Sequence, residues 1–178
     1  MKIIIKGLSS GAQKQSYQES AAALGFDEER FHFTRPISAR FTLQKVGQQI
    51  VCRGQVSSTV ELECSRCLEP LEQDISEEMT LLFSFLAAEP GDAADEELKI
   101  IPPGADQVDV TEEVRQTLLL AMPTKPLCNI QCQGLCPRCG ADRNREGCNC
   151  PRPDGDPRWK NLQKLLFNES KGEPSGSS

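Results

Sequence analysis

The 178-residue chain is short of the side chains that most enzymes rely on. It has a single histidine, His32, and aromatic residues make up only 5% of the sequence. Catalytic zinc sites usually bind the metal through histidine or carboxylate and keep one position open. The sequence contains no phosphate-cradling glycine loop and no serine in a nucleophile-elbow motif. These absences favour a protein without enzymatic activity, and His32 is interpreted as a surface or core residue.

Long apolar runs are also missing. No stretch is long enough to cross a bilayer, and the apolar run at Ile3, Ile4 and Ile5 is too short for the core of a signal peptide. The sequence therefore predicts a cytoplasmic protein without membrane contact. Thiols stay reduced in the cytosol, so a high cysteine content there indicates metal binding rather than a disulfide scaffold.

Positive charge is scarce in the middle of the chain. Residues 61–113 hold two basic and sixteen acidic side chains, a local charge of −14, whereas residues 1–60 and 114–178 each sum to +4. An acidic segment repels phosphate. Any contact with nucleic acid is therefore expected at the two ends of the chain, and the middle is suited to a basic partner.

Cysteine, in contrast, is abundant. Six of the nine cysteines lie between Leu127 and Cys150. A Cys-x-x-Cys turn can place two thiolates on one zinc ion, which prefers four ligands in a tetrahedron with zinc–sulfur distances of about 2.3 Å. One such turn is followed by a glycine that allows it to close, and a Cys-x-Cys pair comes shortly after. This spacing predicts a local four-sulfur site made of Cys136, Cys139, Cys148 and Cys150.

The remaining pairs are far apart in sequence. Cys64 and Cys67 form a second Cys-x-x-Cys turn, and Cys128 and Cys132 follow the proline that ends a predicted helix. Together they predict a second site that joins a strand hairpin to the C-terminal segment. Structural zinc contributes roughly 10–16 kcal/mol of binding energy that becomes folding energy. We expect two zinc ions, with exchange of ligands between the sites and an iron–sulfur cluster as alternatives. Cys52, on an apolar strand face, is interpreted as an inert core thiol.

The periodicity predicts an α+β fold, an antiparallel sheet with flanking helices and a zinc-stapled C-terminal segment. Alternating apolar residues from Ile37 to Phe85 predict three strands joined by a turn at Val46–Gln48 and by the Cys64–Cys67 turn. Residues 87–108 are acidic and rich in proline and glycine, which predicts a long loop. The predicted helices are Ser16–Leu24, a helix from an Asp109 N-cap to Pro123 with Val110, Val114, Leu118 and Ala121 on one face, and one from Asp156 to Leu166.

The same patterns divide the chain into three parts. Residues 1–126 are predicted to form the sheet domain, and residues 127–168 a cysteine-rich segment with the last helix. Residues 169–178 are polar and predict a disordered tail.

Several stretches together resemble the YceD-like family of large ribosomal RNA subunit accumulation proteins. They are VSSTVELECSRCLEP at Val56–Pro70, the helix and break at Asp109–Pro126, the C-x3-C-x-GLCPRCG and CNC motifs, and the DPRW helix. The resemblance implies a bacterial or plastid protein that supports synthesis, processing or stability of large-subunit ribosomal RNA, without enzymatic activity. It also implies ribosomal RNA or ribosome-assembly proteins as partners and no small-molecule substrate. No transit peptide precedes the matching stretches, which favours the bacterial cytoplasm.

The nature of the direct contact stays open between alternatives. Five arginines near the cysteines are the expected phosphate contacts: Arg138, Arg143, Arg145, Arg152 and Arg158. The acidic middle instead favours an adaptor that binds a basic protein, such as a ribosomal protein. The third hypothesis is a thiol–disulfide catalyst built on Cys64 and Cys67. It would require a thioredoxin-like strand–helix context, whereas the sequence places this turn between two strands.

Overall fold

The computed structural model describes residues 1–8, 11–27, 31–85 and 98–151. The chain forms two compact units, Met1–Gly134 and Leu135–Ser178. The first unit contains the sheets, the α-helix and the first four metal-site cysteines. The described part of the second unit is residues 135–151, which carry the other four.

The main sheet of the first unit has the strand order β2-β4-β5-β6-β7, with β3 paired to β5. All of its pairs are antiparallel except β6–β7, which is parallel. A second, two-stranded sheet pairs β1 with β8. The strands are β1 Lys2–Ile4, β2 Gln13–Glu19, β3 His32–Phe33, β4 Ile37–Val46, β5 Gln49–Glu63, β6 Pro70–Ser84, β7 Leu98–Ile100 and β8 Gln107–Asp109.

The core lies on one face of the main sheet because apolar residues alternate along its long strands. Ile37, Ala39, Phe41 and Leu43 of β4 are almost fully buried, as are Ile50, Cys52 and Val56 of β5. The ring of Phe41 occupies the space beside Gly54, where a Cβ atom would come within 2.7 Å of the ring. The meander predicted from Ile37 to Phe85 is confirmed, with its first turn at Gly47, which has φ +60°.

The α-helix α1, Thr111–Ala121, covers this core by packing against β5 and β6. Val110, Val114 and Leu118 are fully buried, as the helical spacing predicts. The expected N-cap at Asp109 is wrong by one residue, because Asp109 ends β8 and Val110 occupies the N-cap position. The Asp109 carboxylate still accepts a hydrogen bond from the Thr111 backbone N–H at 2.9 Å, and bonding to Thr111 lowers the pKa of this carboxyl group.

The helix predicted at Ser16–Leu24 is wrong. Residues Gln13–Glu19 form β2, which pairs with β4 along its whole length, and only Ala22–Leu24 form a 3-10 helix. An isolated helix of nine residues is marginal in water. Pairing with a neighbouring strand and packing of Tyr17 against the core override the helix preference of the alanines. Gly25 does close the short helix, with φ +74°.

The long loop predicted at residues 87–108 is wrong in its described part. Residues 98–108 contain all of β7 and the first two residues of β8, because Leu98 pairs with Leu82 and Val108 with Ile3. Proline and glycine at 102–104 confine the turn to the short connection between these strands.

The fold is richer in β-structure than the α+β prediction. Across the described residues there are eight strands, one α-helix and one 3-10 helix. The helix predicted at Asp156–Leu166 and the tail predicted at 169–178 lie outside these residues. None of the helices described in the structure is long and apolar enough to span a membrane.

Candidate metal centres

Four cysteines meet where the hairpin of β5 and β6 approaches the segment after α1. Cys64 and Cys67 lie in the turn between the two strands, and Cys128 and Cys132 follow Pro126. The Cys64 and Cys132 sulfurs are 3.8 Å apart, and those of Cys67 and Cys128 are 3.5 Å apart. Cys64, Cys67 and Cys132 are buried and Cys128 is exposed. We call this group the hairpin cluster.

Backbone hydrogen bonds shape the turn of the hairpin cluster. The Leu68 N–H donates to the Cys64 carbonyl at 2.9 Å, and the Cys64 N–H donates to the Glu69 carbonyl at 2.8 Å. Closing the turn places Leu68 at φ +61°, the one positive φ of a non-glycine residue in the described part of the chain. The turn joins two strands, which is unlike the strand–helix context of a thioredoxin-type motif.

The hairpin turn is also bonded directly to the segment that carries Cys128 and Cys132. The Ser65 N–H donates to the Pro126 carbonyl at 2.9 Å. The Arg66 guanidinium donates to the Cys132 carbonyl at 2.7 Å. Gly134, with φ +70°, lies so close to the turn that a Cβ atom there would sit 2.7 Å from the Arg66 carbonyl oxygen. These contacts hold the two cysteine pairs beside each other.

The second unit holds the other four cysteines, Cys136, Cys139, Cys148 and Cys150, which we call the local cluster. Its turn repeats the geometry of the hairpin turn. The Gly140 N–H donates to the Cys136 carbonyl at 2.9 Å, the Cys136 N–H donates to the Ala141 carbonyl at 2.8 Å, and Gly140 has φ +74°. The Cys136 and Cys148 sulfurs are 3.3 Å apart. Only Cys136 of this cluster is buried, so the local cluster is more open to solvent than the hairpin cluster.

Each cluster has the donor set and the size of a site for one metal ion. Within each group the four sulfurs all lie within 4.8 Å of one another. A tetrahedron with metal–sulfur bonds of about 2.3 Å has sulfurs about 3.8 Å apart. The quoted sulfur separations, 3.3 to 3.8 Å, are close to that value and far above a disulfide bond of about 2.05 Å. Both clusters could therefore hold a metal ion.

The electrostatics of the two clusters are also suited to a cation. Backbone N–H groups of Cys128, Cys67 and Arg66 lower the pKa of Cys64 to about 6. Those of Cys139 and Arg138 likewise lower the pKa of Cys136 to about 6. The neighbouring thiols, Cys67 and Cys139 foremost, raise the pKa values of Cys128 and Cys150 to about 12. Four thiolates in so small a space repel one another, and a divalent cation removes that repulsion.

The difference between the two turns leads to a prediction at Leu68. A left-handed residue with a side chain costs roughly 1–2 kcal/mol, partly offset in glycine by its larger unfolded-state entropy. Leu68 is exposed, so the change Leu68→Gly removes little packing. We expect this variant to be about 0.5–1 kcal/mol more stable, measured by thermal unfolding of the metal-loaded protein. A lower midpoint than that of the unaltered protein would show that the leucine side chain contributes more than its backbone costs.

Three of the five arginines predicted to contact phosphate lie in the part of the chain that the structure describes. Arg138 is exposed and Arg143 half-buried, and both line a concavity of ≈ 410 Å³ beside the local cluster. Arg145 is exposed, with its Nε 3.8 Å from the Asp142 carboxylate. Arg152 and Arg158 lie outside the described residues.

The structure places Cys52 in the core and away from both clusters, and burial raises its pKa to about 12. Two contributors to the hairpin cluster were not found from the sequence. Arg66 gave no signal, because an arginine inside a Cys-x-x-Cys turn is expected to be exposed. Gly134 gave only a weak one, a glycine between two cysteine motifs.

Comparisons with known proteins place these features in context. The sequence matches the profile of the family described as "Large ribosomal RNA subunit accumulation protein YceD" over residues 52–166, which include both clusters. It is 29% identical over 131 residues to an uncharacterized protein of Mycobacterium tuberculosis, covering 72% of this chain and 61% of that protein.

Plant relatives are more distant. The chain is 22% identical over 155 residues to the chloroplastic "Large ribosomal RNA subunit accumulation protein YCED homolog 1" of Arabidopsis thaliana, covering 73% of this chain and 48% of that protein. For the Zea mays protein of the same name the identity is 28% over 124 residues, covering 54% and 42%. The chain thus spans less than two thirds of the length of these relatives. No solved structure matches it.

Proposed function

The chain belongs to the family of large ribosomal RNA subunit accumulation proteins YceD, and from this premise we propose that it is a non-enzymatic accessory factor of ribosome biogenesis. In this proposal it supports the synthesis, processing or stability of large-subunit ribosomal RNA in the bacterial cytoplasm. The observation that carries the proposal is the family match, which runs from β5 through both cysteine clusters. The names of the plant relatives support the same role.

The proposal assigns a structural role to the two clusters, each with one zinc ion. Four thiolates form a closed coordination sphere, which leaves no position for a substrate or an activated water. In the hairpin cluster the ion joins the β5–β6 turn to the segment after α1. In the local cluster it closes the span from Cys136 to Cys150, which by itself is too short to build a hydrophobic core.

We expect two zinc ions per chain, because eight thiolates divide into two sets of four. Elemental analysis of protein purified without added metal measures this directly. Alkylation followed by mass spectrometry tests the ninth thiol, since Cys52 should react only after denaturation and the other eight as soon as a chelator removes the metal. Iron together with visible absorbance would show that the cysteines hold an iron–sulfur cluster and not zinc. One ion, with Cys64 and Cys67 alkylated in the native state, would contradict the hairpin site.

The cellular role is tested by depleting the protein and measuring the ratio of large- to small-subunit ribosomal RNA. We expect the ratio to fall and to recover when the full chain is supplied again. Small-subunit ribosomal RNA and an unrelated stable RNA serve as internal controls. An unchanged ratio under depletion would contradict the proposed function.

A second candidate is an adaptor for a basic ribosomal protein. It is favoured by the acidic arms of the β5–β6 hairpin, where Glu61 lies directly opposite Glu72. Three more acidic residues are close by along the chain: Glu63, Glu69 and Asp74. Like charges in directly opposed positions destabilise a sheet, so a basic partner would relieve them. Part of the acidic middle segment, including Glu96 and Glu97, lies outside the described residues.

The adaptor is tested by replacing Glu61 and Glu72 with glutamine and measuring capture of purified basic ribosomal proteins. We expect a loss of capture that exceeds the loss in a variant with Glu112 and Glu146 replaced, which removes the same charge elsewhere on the chain. Equal capture by the two variants would contradict the adaptor.

A further inference from the structure

One part of a face of the main sheet, spanning β2, β4 and the first half of β5, differs from the rest of this acidic chain. Alternate residues of β2, β4 and the first half of β5 point away from the core, and their register brings them together on the face opposite α1. Gln18 bonds to Ser38 and Gln55 to Ser76 across this face, at 3.3 Å each. None of these outward residues of the three strands is acidic: Lys14, Ser16, Gln18, Ser38, Arg40, Thr42, Gln44, Val51, Arg53, Gln55 and Ser57.

A shallow groove of ≈ 380 Å³ crosses β2, β4, β5 and β6 on this face. Its floor is the paired backbone of Gln15, Phe41, Gly54 and Met79. Gly54 has no side chain, and the other three side chains belong to the other face. One wall is the row Lys14, Thr42, Arg53 and Thr80, and the other is the row Ser16, Arg40, Gln55 and Glu78. With strands about 4.8 Å apart, the groove is about 15 Å long.

The charges of the groove are arranged for an anion. Lys14 and Arg53 project from one wall and Arg40 from the other, and across the described residues these three cations form no ion pair. Glu78 is the single acidic residue of the lining and lies on β6 at one end of the groove. Hydroxyl and amide groups fill the remaining positions of both walls. This mixture of basic, hydroxyl and amide side chains is the one that contacts phosphate and sugar in nucleic-acid complexes.

The groove offers no platform for bases. Phe41 is the only aromatic residue of its lining, and its ring is buried in the core with 1% of its surface exposed. Stacking on aromatic side chains therefore does not contribute there. A strand in the groove is held through its backbone, and binding is expected to be nearly independent of base sequence.

We propose that this groove binds the ribose–phosphate backbone of an RNA strand that crosses β2, β4, β5 and β6. The proposal rests on the proposed function and identifies the surface through which the protein contacts RNA. It places the contact on the first unit, at a surface that is locally positive although the whole chain has a net charge of −6. The strand enters from the β2 side and is limited at the β6 end by Glu78.

The first test uses fluorescence anisotropy with a labelled single-stranded RNA of mixed sequence and the full chain. Replacing Lys14, Arg40 and Arg53 together with glutamine should flatten the plot of log affinity against log salt by about two units, and weaken binding roughly 100-fold at about 0.1 M salt. The matched control replaces Lys2, Lys45 and Lys125, which are also exposed. The control should bind within a fewfold of the unaltered protein, and circular dichroism and metal content should be unchanged in both variants.

The second test predicts tighter RNA binding, a change that damage to the fold cannot produce. Glu78→Gln should tighten RNA binding about threefold, because it removes the like charge at the end of the groove. The neighbouring Glu77→Gln makes the same change in net charge on the opposite face and should have no such effect. An equal gain in RNA affinity from the two variants would show that only net charge matters, and would overturn the proposal that RNA binds in this groove.

The two proposals fail in different ways. Unchanged RNA affinity and salt dependence in the triple variant would overturn the groove, even if depletion of the protein still lowers large-subunit ribosomal RNA. Polyglutamate serves as a second probe, a stand-in for an acidic protein. If the triple variant still binds RNA but no longer binds polyglutamate, the groove belongs to an acidic protein and the RNA proposal is overturned. Weaker RNA binding in the triple variant, together with failure to restore the RNA ratio in depleted cells, would support both.

Discussion

Replacing Cys64 with serine should loosen the first unit at the point where the hairpin meets the segment after α1. Cys64 is fully buried and is the thiol of its cluster most stabilised as thiolate by backbone N–H groups. Without it, three sulfurs remain and most of the metal-binding energy is lost, up to the roughly 10–16 kcal/mol of a complete site. We expect thermal unfolding at a much lower temperature and faster proteolysis between Pro123 and Pro126.

The corresponding change in the local cluster should have a different outcome. Cys136→Ser removes a ligand from a set of cysteines that are all close in sequence and belong to the second unit. We expect loss of one metal ion and proteolysis within residues 135–151, while the far-ultraviolet circular dichroism of the sheet stays unchanged. Equal and global unfolding by Cys64→Ser and Cys136→Ser would contradict the division into two independent sites.

Gly134→Ala should destabilise the hairpin cluster without touching a ligand. Alanine at φ +70° costs roughly 1–2 kcal/mol, and its Cβ atom would lie 2.7 Å from the Arg66 carbonyl oxygen. Moving the turn away from this contact also weakens the bond from Arg66 to the Cys132 carbonyl. The expected loss is about 2–4 kcal/mol of stability, with easier removal of one of the two metal ions by a chelator.

Gly104→Ala is the matched control for the backbone cost. Gly104 has φ +85° and belongs to the same unit, but a Cβ atom there meets nothing within 4 Å. It should cost only the roughly 1–2 kcal/mol of the left-handed conformation and leave metal retention unchanged. The same loss of stability and the same chelator sensitivity in both variants would show that the contact with Arg66 is unimportant.

The prediction of the metal sites depended on how far apart the ligands are in sequence. The cysteines at 136, 139, 148 and 150 are linked by short turns, so their spacing alone indicates that they meet. The hairpin cluster could only be inferred from the pairs left over. The structure brings these pairs together because β5 and β6 extend their turn beyond the edge of the core to the residues that follow α1.

The prediction of secondary structure failed where pairing decided the outcome. Ser16–Glu19 carries a weak helical pattern, and its partners on β4, Ile37 to Arg40, lie 18 to 24 residues further along the chain. In the same way, Leu98–Ile100 forms a strand because β6 offers an edge for parallel pairing. A local pattern contains no information about such an edge.

Much of the chemistry of this protein can be inferred from local sequence: eight thiols in two sets of four, a single histidine, the alternating core of the meander, and the motifs of its family. These follow from short spacings, and short spacings act within one turn or one strand. Strand pairing and packing set which residues from distant parts of the chain lie beside one another. They place Gly134 against Arg66, set Glu61 opposite Glu72, and collect Lys14, Arg40 and Arg53 on a sheet face without acidic neighbours on their own strands. Strand register places residues that are distant in sequence a few ångströms apart, and no local pattern encodes that register.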